Sequence, residues 1–170
     1  MTEEEAINRL HVKLNSKTDL LLNEIKRFLI ELPFDVIDEG FSKKDINGIH
    51  FEYEVTSFEP IACPLNTKTG YCGAGEVVEI LDKTENQVFN FEDYEDLISL
   101  FPEEEKEEFE ENLLWFQADV FEKWFANCWK EVRHLRPDIK GFVSIHDAWY
   151  RVDLDTGLKF EEGKGDIKFF

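Results

Sequence analysis

Between Pro102 and Pro137 the chain carries apolar residues at a spacing that only a helix gathers onto one face. Phe109, Leu113, Phe116, Val120, Trp124, Cys128, Val132 and Leu135 recur in steps of three or four, which is the period of an α-helix. A second stripe, Leu114, Phe121, Phe125 and Trp129, widens the apolar face to about two-thirds of the circumference. Pro102 suits the first helical position, and Pro137 ends the run. The pattern predicts one long, aromatic-rich helix over about 103–135. With a rise of about 1.5 Å per residue it would extend roughly 50 Å, whereas a compact domain of this size spans roughly 40 Å. The helix is therefore expected to bend, break, or carry its first turns beyond the body. Those turns read EEEKEEFEE from Glu103 to Glu111, and acidic residues there complement the helix dipole.

Upstream, Thr2 and Glu5 have the spacing of a capping box, and Ile7, Leu10 and Leu14 follow at helical intervals. Ser16 and Lys17 interrupt that series. Thr18 and Asp19 open another, Leu21, Leu22, Ile25, Phe28, Leu29 and Leu32, which Pro33 closes. N-terminal helices are predicted over about 3–32. The period then falls to two. Ile49, Phe51, Tyr53 and Val55 alternate with His50, Glu52, Glu54 and Thr56, the pattern of a strand with one side on the core and its polar side in water.

EVVEIL (76–81) and QVFNF (87–91) read as further strands, and residues 93–100 as a short helix. After Pro137, the segments FVSI, WYRVDL and LKF are separated by turn residues and predict a C-terminal β-meander over about 142–160. Asp155 and Gly157 organise its last hairpin. Strands joined by short turns favour a meander over parallel crossovers. The fold class is thus α+β: a mostly antiparallel sheet packed against the N-terminal helices and the long helix, in a single domain over 1–170.

The 170 residues include 19 Lys and Arg against 38 Asp and Glu, a net charge of −19. Such an excess repels phosphate backbones and anionic membranes, whose binding needs Lys and Arg to displace counterions. Neither nucleic acid nor membrane is expected as a partner. The same field speeds encounter with a cationic protein. No apolar run reaches the roughly 18 residues of a membrane-spanning helix. The opening MTEEEAINR is acidic, unlike a signal or transit peptide. A soluble, cytoplasmic protein is expected. Its three cysteines, Cys63, Cys72 and Cys128, fit a reducing compartment. Cys63 and Cys72 enclose the loop PLNTKTGY, which would set their thiols face to face if its flanks paired. They lack the second close pair of a four-ligand zinc site. Cys128 reads as a small core residue on the apolar helix face.

The sequence carries no catalytic signature. Its densest polar cluster is HDAWYRVDLDTG, residues 146–157. Asp153, Asp155 and Gly157 fail as a calcium loop, because Leu158 stands where the Gly is needed and Lys164 where the bidentate Glu is needed. Alternation puts Asp153 and Asp155 on one face of a strand. There they form either an acid/base pair, if one is buried, or the solvated side of a hairpin. His146 and Asp147 are adjacent and cooperate only if the chain turns between them. Ser144 lies on the side of His146, but no Gly-x-Ser-x-Gly elbow is present. Glu131 and His134 form a single Glu-x-x-His, where a di-iron bundle needs two. His11 and His50 stand alone on predicted polar faces. Gly70, Gly73 and Gly75 precede a strand, the wrong context for a nucleotide cradle. No metal or cofactor is predicted.

Three functions fit these features. The first is an acidic binding module, such as an inhibitor or immunity-type protein, that docks a basic protein partner. Its candidate binding residues are Trp115, Asp147, Trp149, Tyr150, Asp153 and Asp155, since aromatics ringed by charge dominate interfaces. The alternative is a small hydrolase or metal-assisted enzyme using His146, Asp147, Asp153 and Asp155. A third reading makes the long apolar helix a homodimer seam, its face being wider than one small sheet needs to cover.

Overall fold

The computed structural model describes residues 3–34, 41–55, 58–69, 71–72, 78–79, 99 and 102–161. The expected strand over 87–91, the Gly70, Gly73 and Gly75 motif, the Thr2 cap and all but residue 99 of the short helix over 93–100 lie outside the described residues.

Helix α1 (Glu3–Ser16) gives way to α2 (Thr18–Glu31) across Lys17, where one apolar series stops and the next begins. The Thr18 hydroxyl at this junction accepts a hydrogen bond from Trp124 Nε1 at 3.0 Å, which ties the helical pair to the long helix. α2 closes at Leu32, whose φ of 43° is left-handed, with its N–H donating to the Phe28 carbonyl. Proline follows directly and forbids continuation.

The long helix, α3, runs Lys106–Val132 and tightens into a 3-10 turn, Arg133–Leu135. It is preceded by a turn at Glu103–Glu105. At about 1.5 Å per residue α3 is roughly 40 Å long, so the predicted run breaks at both ends. Its two stripes face different layers. Trp124 meets the α1–α2 junction, while Phe121 and Phe125 lie against the sheet, 4.3 Å from Tyr53 and 4.9 Å from Phe51 between ring centroids. Val120, Phe121, Trp124, Phe125, Cys128, Trp129 and Val132 are all buried within the chain. Over this stretch α1, α2 and the sheet cover the face expected to form a homodimer seam, while Trp115, Phe116 and Leu135 of the same run stay exposed.

Seven strands form one sheet among the described residues: β1 (Gly48–Tyr53), β2 (Pro60–Asn66), β3 (Tyr71–Cys72), β4 (Val78–Glu79), β5 (Lys140–Ile145), β6 (Tyr150–Asp153) and β7 (Lys159–Glu161). The order is β3-β2-β1-β5-β6-β7, with β4 also on the outer edge of β2. β5, β6 and β7 pair antiparallel in sequence, as a C-terminal meander. The centre differs from the expectation. β1 and β5 run parallel, Gly48 beside Lys140 through Tyr53 beside Ile145, so the sheet is mixed. A parallel neighbour requires a crossover of a dozen or more residues. The chain between β1 and β5 carries β2, β3, β4 and α3, and the short turns elsewhere gave no sign of that return.

Cys72 is registered opposite Leu65, not opposite Cys63. The two cysteines therefore do not face each other across the hairpin. β1 also departs from its expected setting. Phe51 and Tyr53 face the helices, but His50 on the other side is buried as well, at 2% exposure. Ser144 of the neighbouring β5 lies 2.9 Å from His50 Nε2 on that face, so the polar side of the strand is paired there instead of wet.

Packing is close where Trp129 crosses β5. A Cβ on Gly141 would fall 2.6 Å from the indole, so only glycine admits the ring there. No helix among the described residues is long and apolar enough to cross a membrane.

Candidate functional site

Helix α3 leaves Trp115 and Phe116 exposed in its N-terminal half. The β5–β6 turn brings a second tryptophan toward them. Asp147 takes φ 57°, the left-handed region that Asp tolerates better than most residues, and the Ala148 N–H closes the turn on the Ile145 carbonyl at 3.1 Å. Trp149 and Tyr150 follow. Trp115 lies 6.4 Å from Tyr150, and Trp149 lies 5.6 Å from it in an edge-on arrangement. Trp115 is 48% exposed and Trp149 57%, while Tyr150, which both contact, is buried. Three of the six candidate binding residues thus come together, two with open rings and one as their support.

Beneath the patch, Tyr150 is anchored by charge. Its hydroxyl donates to Glu122 Oε1 at 2.6 Å, and Tyr53 donates to the same oxygen at 3.1 Å. Lys159 Nζ stands 3.1 Å from Glu122 Oε2 and 4.7 Å from the centroid of the Tyr150 ring. Burial pushes the Glu122 carboxyl up, while Tyr150, Lys159 and Tyr53 pull it back. The Tyr150 hydroxyl is pushed up by burial and by its bond to Glu122. A buried carboxylate survives only when paired in this way. Neither Glu122 nor Tyr53 stood out in the sequence. The available signal was an acid set between Phe121 and Trp124, inside the apolar part of α3.

The rim is acidic. Glu111 precedes Trp115 by about one helical turn and is exposed. Asp119, a turn beyond, is bound to Lys123 at 2.6 Å. Asp147 is 91% exposed. Glu103, Glu104, Glu105 and Glu107 lie exposed at the start of α3.

The remaining predicted residues are used elsewhere. Asp153 Oδ1 accepts the N–H groups of Asp155 and Thr156 at 2.8 and 2.9 Å, closing the β6–β7 hairpin as an Asx turn. Asp155 accepts Trp129 Nε1 at 2.8 Å and pairs with Arg133 Nε at 2.9 Å. Both side chains lie close to fully enclosed, unlike the solvated hairpin side that alternation suggested. His146 stands at the other end of the β5–β6 hairpin, since Asp153 is registered opposite Phe142. The group His146, Asp147, Asp153 and Asp155 is therefore not convergent. No cluster of three or more His, Cys, Asp or Glu side chains suited to a metal ion occurs among the described residues.

A different polar chain crosses the far face of the sheet. Ser144 Oγ lies 2.9 Å from His50 Nε2. His50 Nδ1 is 3.3 Å from Glu52 Oε1, out of line for a hydrogen bond. Glu52 Oε2 meets His146 Nδ1 at 3.1 Å, and His146 Nε2 is 3.5 Å from Asp147. Burial, aided by Arg151, pushes His50 down to about 3, so the ring is neutral. The bond to Glu52 raises His146. The order serine, histidine, acid matches a nucleophilic triad. Yet Ser144 and His50 are each only 2% exposed, and their bond joins β5 to β1. It was missed because each residue looked solvated on its own strand.

Comparison of the chain with protein-family models, with curated proteins and with solved structures finds no match in any of the three.

Proposed function

We propose that the protein is a non-catalytic binding module that docks a basic protein partner at the acidic, tryptophan-bearing end of α3 and the adjoining β5–β6 turn. An inhibitor or immunity-type module is the concrete form. One observation carries the reading: Trp115 and Trp149 both stand exposed against the same buried Tyr150, with exposed carboxylates close in sequence, Glu111 before Trp115 and Asp147 before Trp149. Exposed tryptophan is the residue type most enriched among interface hot spots, where truncation costs about 2 kcal/mol or more. The net charge of −19 adds long-range attraction for a cationic surface, an effect that fades as salt rises.

Capture of proteins on the immobilised chain across a salt series tests this, run beside the double variant Trp115→Ala, Trp149→Ala. A basic protein is expected to be retained at low salt, released at about 0.5 M salt, and lost on the variant. Equal capture by both chains, or none at low salt, ends the proposal.

Hydrolysis is the alternative, with one supporting observation, the Ser144–His50–Glu52 order of contacts. It requires a route to Ser144, which burial opposes. Labelling of Ser144 by a fluorophosphonate probe would put this alternative first; an unlabelled protein removes it.

A further inference from the structure

Among the described residues the molecule already lays two cations on aromatic faces with a carboxylate behind each: Arg27 over Phe28 at 4.8 Å, paired with Glu24 at 2.8 Å, and Lys159 over Tyr150. Lys159 Nζ sits 4.7 Å from the centre of the Tyr150 ring and 3.1 Å from Glu122. The two tryptophans that pack against Tyr150 have exposed rings, each with an exposed carboxylate near it in sequence: Glu111 about one turn before Trp115, Asp147 two residues before Trp149. Asp119 is held by Lys123 at 2.6 Å and is 42% exposed, whereas Asp147 meets His146 only at 3.5 Å and stays 91% exposed, so an incoming cation reaches Asp147 more readily. We infer that Trp115 and Trp149 are stacking platforms for arginine side chains of the partner, with Glu111 and Asp147 receiving the guanidinium N–H groups.

Charge selects the class of occupant. A chain of net charge −19 repels a second copy of itself, a nucleic acid and an anionic membrane alike. Ring geometry then selects the side chain. An indole face attracts a planar, weakly hydrated guanidinium that can stack and still fork onto a carboxylate. An ammonium holds its water more tightly and meets the acid as a point charge. Lys159 reaches its place from within the chain, at no cost of association. An incoming side chain has no such advantage, so the stronger stacking partner is favoured.

The inference rests on the docking function proposed above, and hexa-arginine and hexa-lysine peptides separate the two. Each is titrated against the full chain at low salt, followed by tryptophan fluorescence and calorimetry. The same titrations use Trp115→Ala, Trp149→Ala and the charge variant Glu103→Gln, Glu104→Gln, Glu105→Gln, with circular dichroism checking the fold of each. Hexa-arginine is expected to bind roughly fivefold tighter than hexa-lysine. That preference should vanish in the tryptophan variant, whereas the charge variant should weaken both peptides equally. If both peptides bind the parent chain with one affinity, or the preference survives loss of both tryptophans, the stacking inference is overturned while electrostatic docking stands. If neither binds, both fail. Self-association in sedimentation velocity that depends on Trp115 would give the patch to a second copy and likewise overturn the inference.

Discussion

On its helix side β1 sets Phe51 against Phe28, Phe125 and Trp129, and on its other side it sets His50 against Ser144. Both residues are buried on one strand, next to each other in sequence, and they are held by different physics. Phe51 is stabilised by the area it removes from water, about 1.5–3 kcal/mol for a full side chain, with little dependence on direction or pH. His50 gains only while it stays neutral and its ring nitrogen is paired, because a buried imidazolium must be matched by charge. The apolar face is thus tolerant of conditions and intolerant of lost volume. The polar face is the reverse.

Three measurements separate the faces further. Phe51→Ala should cost the most, about 4 kcal/mol in urea unfolding, since it leaves a cavity among three aromatic rings. The loss should be alike at pH 7 and pH 5; a loss confined to one pH would contradict the assignment.

Acid acts on the other face. The folded value of His50, about 3, lies below the ordinary value of about 6.5. The native state therefore binds fewer protons than the unfolded chain between those limits. Stability is full above the upper limit and declines as pH falls toward the lower, by about 3 kcal/mol at pH 4. His50→Gln should flatten that decline. His146 opposes it: its raised value gives stability present below about 6.5 and lost as pH rises through the folded value. An unchanged acid slope in His50→Gln would show that other groups govern it.

The smallest effect tests an exception on the helix side. Gln117 is buried on α3, and among the described residues neither its side-chain Oε1 nor its Nε2 has a hydrogen-bond partner. Gln117→Leu removes two unsatisfied polar atoms and should stabilise the protein by about 1–2 kcal/mol. A lower midpoint in thermal unfolding would mean that the amide has a partner in solution.

Legibility from sequence follows the range of the interaction. α3 was legible because its stripes repeat locally, and the break at Lys17 because two apolar series fall out of phase there. The alternation of β1 gave the period correctly and the surroundings of His50 wrongly, because its parallel neighbour lies far along the chain. Trp115 and Trp149 were recognisable as exposed anchors one at a time, but Tyr150, which both contact, connects them only in three dimensions. Asp153 and Asp155 looked solvated because an Asx turn and a helix-end ion pair leave no periodic trace. Glu122 was not singled out, because its two tyrosines and its lysine come from three different strands.

The central parallel pair also orders events during synthesis. His50 and Ser144 are 94 residues apart in sequence, so β1 emerges from the ribosome long before the strand that completes one of its edges exists. Until β5 arrives, that edge offers open N–H and C=O groups to any neighbouring chain. Contacts this distant close late and slowly. A nascent chain stalled before residue 140 should therefore be a sticky one, and the acidic start of α3, translated first, is well placed to keep such chains apart.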